Sequence, residues 1–245
     1  MFTSWRSPLA IKKVIYTAIV GGYDEILEQP RYPGWDYVCF TDRKSKSWRS
    51  ITGLSNWKQI IYDNPGTDNT RYSRMPKLLP HRFLPDYEYS VYIDGNARLI
   101  ANPDGLLDAL SWPDFGAAYH PFRGNVYDEF TECSILKMDD PDVFQKQRNH
   151  YSESGLPDPS QLIENNFLLR RHNLPAVQDV HEQWWQELLT YSKRDQLCLP
   201  YVCWKNNIQP TLMTQRHKQE YFRKKAHYRS VLERLTRSLR KRISK

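Results

Sequence analysis

Apolar residues along this chain form short continuous runs, separated by longer segments in which they recur at the helical period. Runs rich in β-branched or aromatic residues predict strands over residues 11–20, 37–42, 58–62 and 89–93, and two further apolar runs predict strands over residues 115–119 and 166–170. Strands that alternate with helices are typical of layered α/β proteins. We therefore predict an α/β fold with a mixed, mainly parallel sheet flanked by helices.

Four helices are predicted between these strands, over residues 70–84, 102–110, 142–154 and 176–192. In the first helix the apolar residues occupy one face, and another face carries three cations, Arg71, Arg74 and Lys77. Pro76 removes a backbone donor from this helix, so two shorter helical turns are an alternative.

Composition and charge divide the chain into two parts. The 245 residues are 40% hydrophobic and 13% aromatic, which suits one globular domain. Residues 216–245 hold twelve Lys or Arg and two Glu, whereas the first 215 residues hold 23 Lys or Arg and 26 Asp or Glu. We therefore predict a near-neutral domain over residues 1–215 and a basic tail over residues 216–245. Apolar residues recur at helical spacing from residue 221 onward, which predicts an amphipathic helix in the tail.

Features that would place the chain in or across a membrane are not found in the sequence. No apolar run approaches the roughly 20 residues of a membrane span, and the amino terminus carries no apolar leader. The four cysteines stand at no zinc-ligand spacing. We expect free thiols and a cytoplasmic location, with peripheral attachment to the inner face of the membrane through the tail as a further expectation.

The strongest single motif is Asp94-Gly95-Asn96, which follows the predicted strand over residues 89–93. In open α/β sheets the carboxyl ends of strands are where ligands bind. A carboxylate at such a position suits a divalent cation, which takes oxygen ligands and bridges to substrate phosphates. For this tripeptide alone, an ordinary turn after a strand is the alternative.

A series of such motifs resembles a family of glycosyltransferase-like domains, formerly DUF616, that is named after the plant proteins TOD1 and MUCI70. The motifs lie in residues 15–24, 39–42, 71–81, 92–96, 120–129 and 192–197, followed by His227. The resemblance covers nearly the whole chain. It implies a single-domain GT-A (Rossmann-like) fold that binds a nucleotide-sugar. It also implies a distant similarity to retaining, metal-using glycosyltransferases of the glycogenin and bacterial galactosyltransferase type.

This resemblance assigns a nucleotide-sugar site to residues in the first half of the chain. The glycine turn after the first strand would lie against base and ribose, and Asp42 would accept a hydrogen bond from a uracil-like base. Arginine matches phosphate oxygens bidentately, so the cationic helix face suits a diphosphate. The predicted set is Thr17, Ala18, Gly22, Tyr23, Asp42, Arg71, Arg74 and Lys77. Structural turns and a solvated basic face are the alternatives.

The catalytic, metal and sugar sites are also assigned through the resemblance. Asp94, Asp195 and Gln196 are the predicted catalytic residues, and Asp94, Asn96 and His227 are the predicted ligands of Mn²⁺ or Mg²⁺. Asn96 replaces the second acid of the metal motif, which leaves metal dependence open. For Asp195 a helix-terminus role is an alternative. The predicted sugar and acceptor residues are His120, Arg123, Glu129, Glu164, Asn165, Asn166 and Arg194.

These assignments predict an enzyme that moves a hexose from a nucleoside diphosphate sugar to a glycan or lipid-linked acceptor. We expect the donor to be a UDP-sugar and the transfer to retain the configuration of the sugar. The alternative is a non-catalytic protein of this fold whose basic tail engages an anionic membrane or another polyanion. Nucleic acid is the weaker partner, because no nucleic-acid motif is present and the body is net acidic.

Overall fold

The computed structural model describes residues 11–44 and 48–225, which form nine strands and nine helices. The strands are β1 (Lys13–Ile19), β2 (Trp35–Thr41), β3 (Lys58–Ile61), β4 (Tyr89–Ile93), β5 (Ala97–Leu99), β6 (Phe115–Tyr119), β7 (Ile163–Arg170), β8 (Thr211–Met213) and β9 (Phe222–Lys224). The helices are α1 (Trp48–Ile51), α2 (Asn69–Leu78), α3 (Pro80–Phe83), α4 (Pro103–Ala109), α5 (Val126–Ile135), α6 (Pro141–Glu153), α7 (Pro175–Thr190), α8 (Asp195–Lys205) and α9 (Gln215–Tyr221).

Seven of these strands form one sheet in the order β3-β2-β1-β4-β7-β6-β8. The first four are mutually parallel, β7 is antiparallel to β4 and β6, and β8 runs parallel to β6. All the strands except β7 therefore point in one direction. β5 and β9 pair separately as a two-stranded antiparallel ribbon. The predicted fold class, a mixed and mainly parallel sheet flanked by helices, is confirmed.

Apolar side chains cover both faces of this sheet. Along β4, Tyr92 belongs to one buried cluster together with residues of α2, α5, α6, α7 and α8. Its neighbours Val91 and Ile93 belong to a second cluster, which includes residues of α4, the ribbon strands and β8. Because successive side chains of a strand point to opposite faces, the two clusters lie on opposite sides of the sheet.

The helix predicted over residues 70–84 is divided into α2 and α3 at Leu79. Pro80 begins the second piece, while Pro76 is accommodated inside the first. A proline at position 76 cannot donate to the carbonyl of Tyr72, and the hydroxyl of Tyr62 donates to that carbonyl at 2.6 Å instead. The alternative of two shorter helical pieces is the one observed, with the break at Pro80 rather than Pro76.

The folded body extends beyond the predicted boundary at residue 215. Residues 215–224 form α9 and β9, and β9 pairs with β5. Phe222 is buried, with its ring stacked on that of Phe167 at a centroid distance of 3.8 Å. Residues 222–224 are therefore a strand rather than part of the predicted tail helix, because an aromatic anchor packs them on the core. The rest of that helix lies outside the described residues.

The four cysteines are buried and form no disulfide. Within residues 11–44 and 48–225, no helix is both long and apolar enough to cross a bilayer.

Candidate active site

The strand order creates a switch point between β1 and β4. β1 lies between β2 and β4. Strands β2 and β3 follow β1 in the chain and lie on one side of it, whereas β4 lies on the other side. In open α/β sheets ligands bind outside the carboxyl ends of the strands at such a point. The residues that follow β1 and β4 here are the Gly21-Gly22 turn and Asp94-Gly95-Asn96.

Glycine lets these two turns approach each other. A Cβ atom on Gly95 would lie 2.8 Å from Cγ1 of Ile19, so a larger residue would not fit without displacement. Gly21 and Gly22 have φ angles of 65° and 64°, in the left-handed region that favours glycine. The N–H of Gly21 donates to Oδ2 of Asp42 at 3.1 Å. Asp42 therefore fixes the glycine turn against the end of β2.

Two carboxylates and two cations meet at this edge of the sheet. Asp94 follows β4, Asp195 is the first residue of α8, and Arg74 and Lys77 lie on α2. The Nζ atom of Lys77 is 2.6 Å from Oδ2 of Asp195 and 4.0 Å from Oδ1 of Asp94. The Nε atom of Arg74 is 3.3 Å from Oδ1 of Asp195. The sequence places Asp195 more than 100 residues from the other three, and the tertiary fold unites them.

Burial makes this cluster electrostatically strong. Lys77 and Asp195 are 2% and 5% exposed. Burial alone raises the pKa of Asp195, but the charges of Lys77 and then Arg74 outweigh it and hold that pKa well below its ordinary range. Asp195 is therefore an ionised carboxylate in a low-dielectric setting. The indole of Trp184 donates to its backbone carbonyl at 2.8 Å, which fixes the start of α8.

Asp94 is the more accessible of the two carboxylates, with 29% of its side chain exposed. Its Oδ1 atom accepts a hydrogen bond from the hydroxyl of Tyr92 at 3.0 Å. Its backbone N–H donates to the carbonyl of Asn166 at 3.1 Å. These contacts orient one oxygen of Asp94 toward the protein and leave the side chain accessible at the sheet edge.

The predicted single cationic face of α2 is not formed. Arg71 donates through Nε to the carbonyl of Leu188 at 2.8 Å and through Nη2 to that of Tyr191 at 2.6 Å. These carbonyls lie at the end of α7, where backbone acceptors lack helical partners. Arg71 thus joins α2 to α7, and buried Lys77 is a counter-ion of the carboxylates. Of the three cations, Arg74 is the most exposed, with 28% of its side chain accessible against 21% for Arg71.

Sequence reasoning missed Arg170, which supports this cluster from behind. It is fully buried, and its Nη1 donates to the carbonyl of Lys77 at 2.8 Å, while its Nη2 donates to the hydroxyl of Tyr16. An arginine at the end of the apolar run over residues 166–170 is the only signal the sequence offered. Tyr92, in the quoted motif but unassigned, is the other residue missed.

The antiparallel direction of β7 brings a set of polar residues to the same edge. Phe167 pairs with Ile93, so Glu164, Asn165 and Asn166 lie beside the end of β4. Glu164 forms ion pairs with Lys218 and with Lys224, the second at 2.7 Å. Its pKa is raised by burial but lowered more by these two lysines, so it is held below its ordinary value. Glu164 therefore holds the segment over residues 218–224 against the sheet.

The loop after β6 is attached to the start of α8 through one buried carboxylate. Glu129 is 2% exposed, and its oxygens are 2.5 Å from Nε of Arg123 and 3.6 Å from Nη2 of Arg194. Nδ1 of His120 accepts from the N–H of Arg123 at 3.0 Å. The predicted sugar and acceptor residues of this loop are thus brought to the edge that holds Asp195.

Several buried polar atoms at this edge have no hydrogen-bond partner among the described residues. Buried polar atoms are nearly always paired in folded proteins, so such atoms suggest groups that await a ligand. They are Thr17 Oγ1, both amide atoms of Asn165, Asn166 Oδ1, Arg194 Nε and Gln196 Nε2. All five residues were predicted from the sequence as site residues. Ala18, half-buried near the end of β1, and Tyr23, which is 48% exposed, lie on either side of the glycine turn.

The predicted metal ligands are only partly within the described residues. The amide nitrogen of Asn96 donates to the carbonyl of Lys225 at 2.7 Å. His227 lies outside the described part of the chain. Within that part, no three His, Cys, Asp or Glu residues cluster as a metal cage would require. An ion held by Asp94 and Asn96 would need the rest of its ligands from substrate phosphates and water.

A cavity of about 550 Å³ lies away from this site, at the opposite edge of the sheet. Its lining includes Trp35 and Lys58, the first residues of β2 and β3. None of the predicted site residues lines it.

Residues 11–230 match the TOD1/MUCI70 glycosyltransferase-like domain. Two proteins of Arabidopsis thaliana are similar: "Probable hexosyltransferase MUCI70", 26% identical over 213 residues, and "Alkaline ceramidase TOD1", 25% identical over 195 residues. The matches cover 77% and 74% of this chain but 36% and 40% of those proteins, so the chain spans well under half of either relative.

Three solved structures show a partial similarity to this chain, each with a TM-score below 0.5. The bifunctional glycosyltransferase WbbM has a TM-score of 0.48 at 12% identity, covering 87% of this chain and 40% of its own. The galactosyltransferase LgtC has a TM-score of 0.44 at 11% identity, covering 82% and 72%. Mouse xyloside xylosyltransferase 1 has a TM-score of 0.45 at 10% identity, covering 83% and 84%.

Proposed function

This chain belongs to the TOD1/MUCI70 family of glycosyltransferase-like domains, and from that membership we propose that it transfers a hexose from a nucleoside diphosphate sugar to a glycan or lipid-linked acceptor. The observation that carries the proposal is the cluster of Asp94, Asp195, Arg74 and Lys77 at the switch point of the sheet. We propose a UDP-sugar as donor and retention of configuration.

The cluster supports the proposal because each part suits a step of glycosyl transfer. Departure of a nucleoside diphosphate places negative charge on the leaving phosphate, which a fixed cation stabilises. The partly exposed guanidinium of Arg74 is the protein group available for that role. Lys77 holds Asp195 ionised and in place, and Asp195 with Gln196 would orient the sugar ring near the acceptor.

The unpartnered polar atoms support a sugar-binding role for the residues around this cluster. Asn165 is 4% exposed and both of its amide atoms lack a partner among the described residues. An amide offers a donor and an acceptor, which suits the hydroxyl groups of a hexose. Asp42 and Thr17, at the ends of β2 and β1, are the proposed contacts for base and ribose.

A divalent cation, Mn²⁺ or Mg²⁺, is part of the proposal. Asp94 and Asn96 would hold it, with His227 as a further proposed ligand. Lys225, two residues before His227 in the sequence, donates its N–H to the carbonyl of Asn96 at 2.9 Å. When bound, such an ion would neutralise charge on the donor diphosphate.

Thermal unfolding with a panel of nucleoside diphosphates and nucleotide-sugars, with and without Mn²⁺ or Mg²⁺, tests this proposal. We expect the compounds that carry one particular base to raise Tm, and we expect the metal ion to increase that rise. Asp94→Ala should abolish the shift, whereas Asp128→Ala, which replaces an exposed carboxylate on α5, should leave it unchanged. If no compound raises Tm under any condition, the proposed donor class is wrong.

Product analysis separates the remaining alternatives. Nuclear magnetic resonance of the new glycosidic bond distinguishes retention from inversion. Donor binding without transfer to any acceptor would favour the non-catalytic alternative, which the amide at Asn96 motivates. Because one relative is named a ceramidase, ceramide hydrolysis should be assayed beside transfer. We expect transfer and no hydrolysis.

A further inference from the structure

The ribbon of β5 and β9 presents cations beside the candidate active site. Arg98 is exposed between Ala97 and Leu99, which are both fully buried. Arg223 is exposed on β9 and stands directly opposite Arg98 in the antiparallel register. We call the exposed side of this ribbon, with Arg98, Arg223 and Lys225, the cationic ribbon face.

This arrangement is unfavourable for the ribbon itself, because like charges directly opposite each other destabilise a strand pair. The nearby Lys218 and Lys224 are both neutralised by Glu164. By contrast, Arg98, Arg223 and Lys225 form no ion pair with any residue in 11–44 or 48–225. Opposed guanidinium groups that no described acid neutralises favour a partner with negative charge.

The position of the ribbon narrows the choice of partner. Lys225 pairs with Asn96 through its N–H and its carbonyl, so the face begins at the Asp94-Gly95-Asn96 turn. The described chain ends at this point, and residues 226–245 add seven Lys or Arg against one Glu. Their sequence pairs these cations with apolar positions at helical spacing, which is typical of segments that bind membrane surfaces. Ile100, which follows β5, adds a partly exposed apolar side chain.

We propose that the cationic ribbon face docks on an anionic lipid surface and turns the carboxyl edge of the sheet toward the membrane. Arginine forks bind phosphate oxygens bidentately, so the Arg98–Arg223 pair suits phospholipid headgroups. Headgroup phosphates would neutralise both guanidinium groups and remove their repulsion. The inference does not rest on the proposed activity, because lipid binding needs neither donor nor turnover.

Co-sedimentation with vesicles tests this proposal on the full chain. Vesicles of 30% phosphatidylglycerol in phosphatidylcholine are compared with pure phosphatidylcholine at low salt, where surface charge is least screened. We expect binding to the anionic vesicles alone. The double variant R98Q/R223Q should lower the partition coefficient about thirtyfold, the loss expected for two cations near an anionic leaflet.

The matched control is K146Q/R148Q, which removes the same charge from exposed positions of α6. Helix α6 packs on the opposite side of the sheet from the ribbon, so this variant should lose no more than about threefold. Thermal unfolding of R98Q/R223Q should show no loss of Tm, because the substitution relieves a repulsion. R98K/R223K keeps the positive charge but lacks the bidentate guanidinium groups. Its vesicle binding should lie between that of the unaltered chain and that of R98Q/R223Q.

Three outcomes would overturn the proposal. One is equal vesicle binding by R98Q/R223Q and the unaltered chain. Another is an equal loss in the α6 control, which would show a response to net charge alone. The third is an R98Q/R223Q variant that binds vesicles as well as the unaltered chain does but no longer prefers dextran sulfate to dextran. That result would assign the cationic ribbon face to an anionic saccharide.

Discussion

At the scale of single residues, burial separates the roles of the two acids at the site. Asp195 is 5% exposed and lies 2.6 Å from a lysine that is itself buried, whereas the Asp94 side chain is 29% exposed. A buried ion pair contributes little net stability, but removing one partner leaves an uncompensated charge. The two acids should therefore respond differently to the same neutral substitution.

We predict that Asp195→Asn lowers the free energy of unfolding by about 3 to 5 kcal/mol, because Lys77 is then buried without its partner. Asp94→Asn should lower the free energy of unfolding by about 1 kcal/mol or less. The side chain of Asp94 reaches solvent, and Lys77 keeps its ion pair with Asp195 in this variant. Both variants should lose hexose transfer. Urea denaturation and a transfer assay measure the two effects, and equal stability losses would contradict this assignment of roles.

His172 gives a second prediction, on pH dependence. Its ring is fully buried between Ser90 and the carbonyl of Leu84. Burial, and to a lesser extent the charge of Arg170, lower its pKa to about 4. An unfolded histidine takes up its proton near pH 6.5. Between these values the unfolded state binds the proton and the folded state does not, so stability falls as pH drops, by up to about 3 kcal/mol.

The expected result is that His172→Gln makes unfolding less sensitive to pH between 6.5 and 4. Some sensitivity should remain, because burial also lowers the pKa of His181 well below its ordinary value. Chemical denaturation at several pH values measures the slope. An unchanged slope in the variant would show that His172 does not carry this dependence.

At the scale of secondary structure elements, the site depends on how closely the end of β1 meets the turn after β4. Gly95 sets that distance, since an added Cβ would lie 2.8 Å and 3.0 Å from the Cγ1 and Cδ1 atoms of Ile19. Ile19 is 8% exposed and packs in the apolar cluster of that sheet face, so it has little room to withdraw.

We predict that Gly95→Ala destabilises the protein by about 1 to 3 kcal/mol, the usual cost of overpacking. It should also weaken donor binding, because the turn that carries Asp94 is displaced. Adding Ile19→Ala removes both contacting atoms, so the double variant should be more stable than the sum of the two single losses implies. Strict additivity in this cycle would exclude the proposed steric contact.

At the scale of the whole molecule, charge and apolar surface are separated along the chain. The apolar clusters on the two sheet faces draw on residues from Val14 to Phe222. The excess of positive charge lies in residues 216–245, a segment that overlaps the end of that core at Phe222. Of this basic segment, the residues up to Lys225 are described, and Lys225 pairs with Asn96 beside the candidate site.

We predict that this basic segment contributes to membrane association. A chain ending at Tyr228 lacks seven Lys or Arg of the tail and should bind phosphatidylglycerol vesicles more weakly than the full chain. The difference should shrink at high salt, because exposed charges are screened. Equal pelleting of both chains would exclude a membrane role for the segment beyond Tyr228.

The sequence by itself determined the features that depend on local pattern. Short apolar runs placed strands β1, β3, β4 and β6 nearly at their observed bounds, and the Trp-rich periodicity located α7. Helix α8 was missed because eight of its eleven residues are buried, so it carries no amphipathic period. β9 was missed because its charged residues suggested a solvated helix, while one aromatic ring decided its packing.

Only the tertiary structure decided which of the candidate residues act together. Chain order and residue type nominated Asp94, Asp195 and Arg74. The ion pairs of Asp195 with Arg74 and Lys77 join positions more than 100 residues apart, and only the folded sheet edge brings these together. In the folded chain Arg71 donates to a carbonyl near the end of α7, and Lys77 is buried between Asp94 and Asp195. Local pattern fixes which face of an element is apolar, whereas the partner of each charge depends on packing between distant segments.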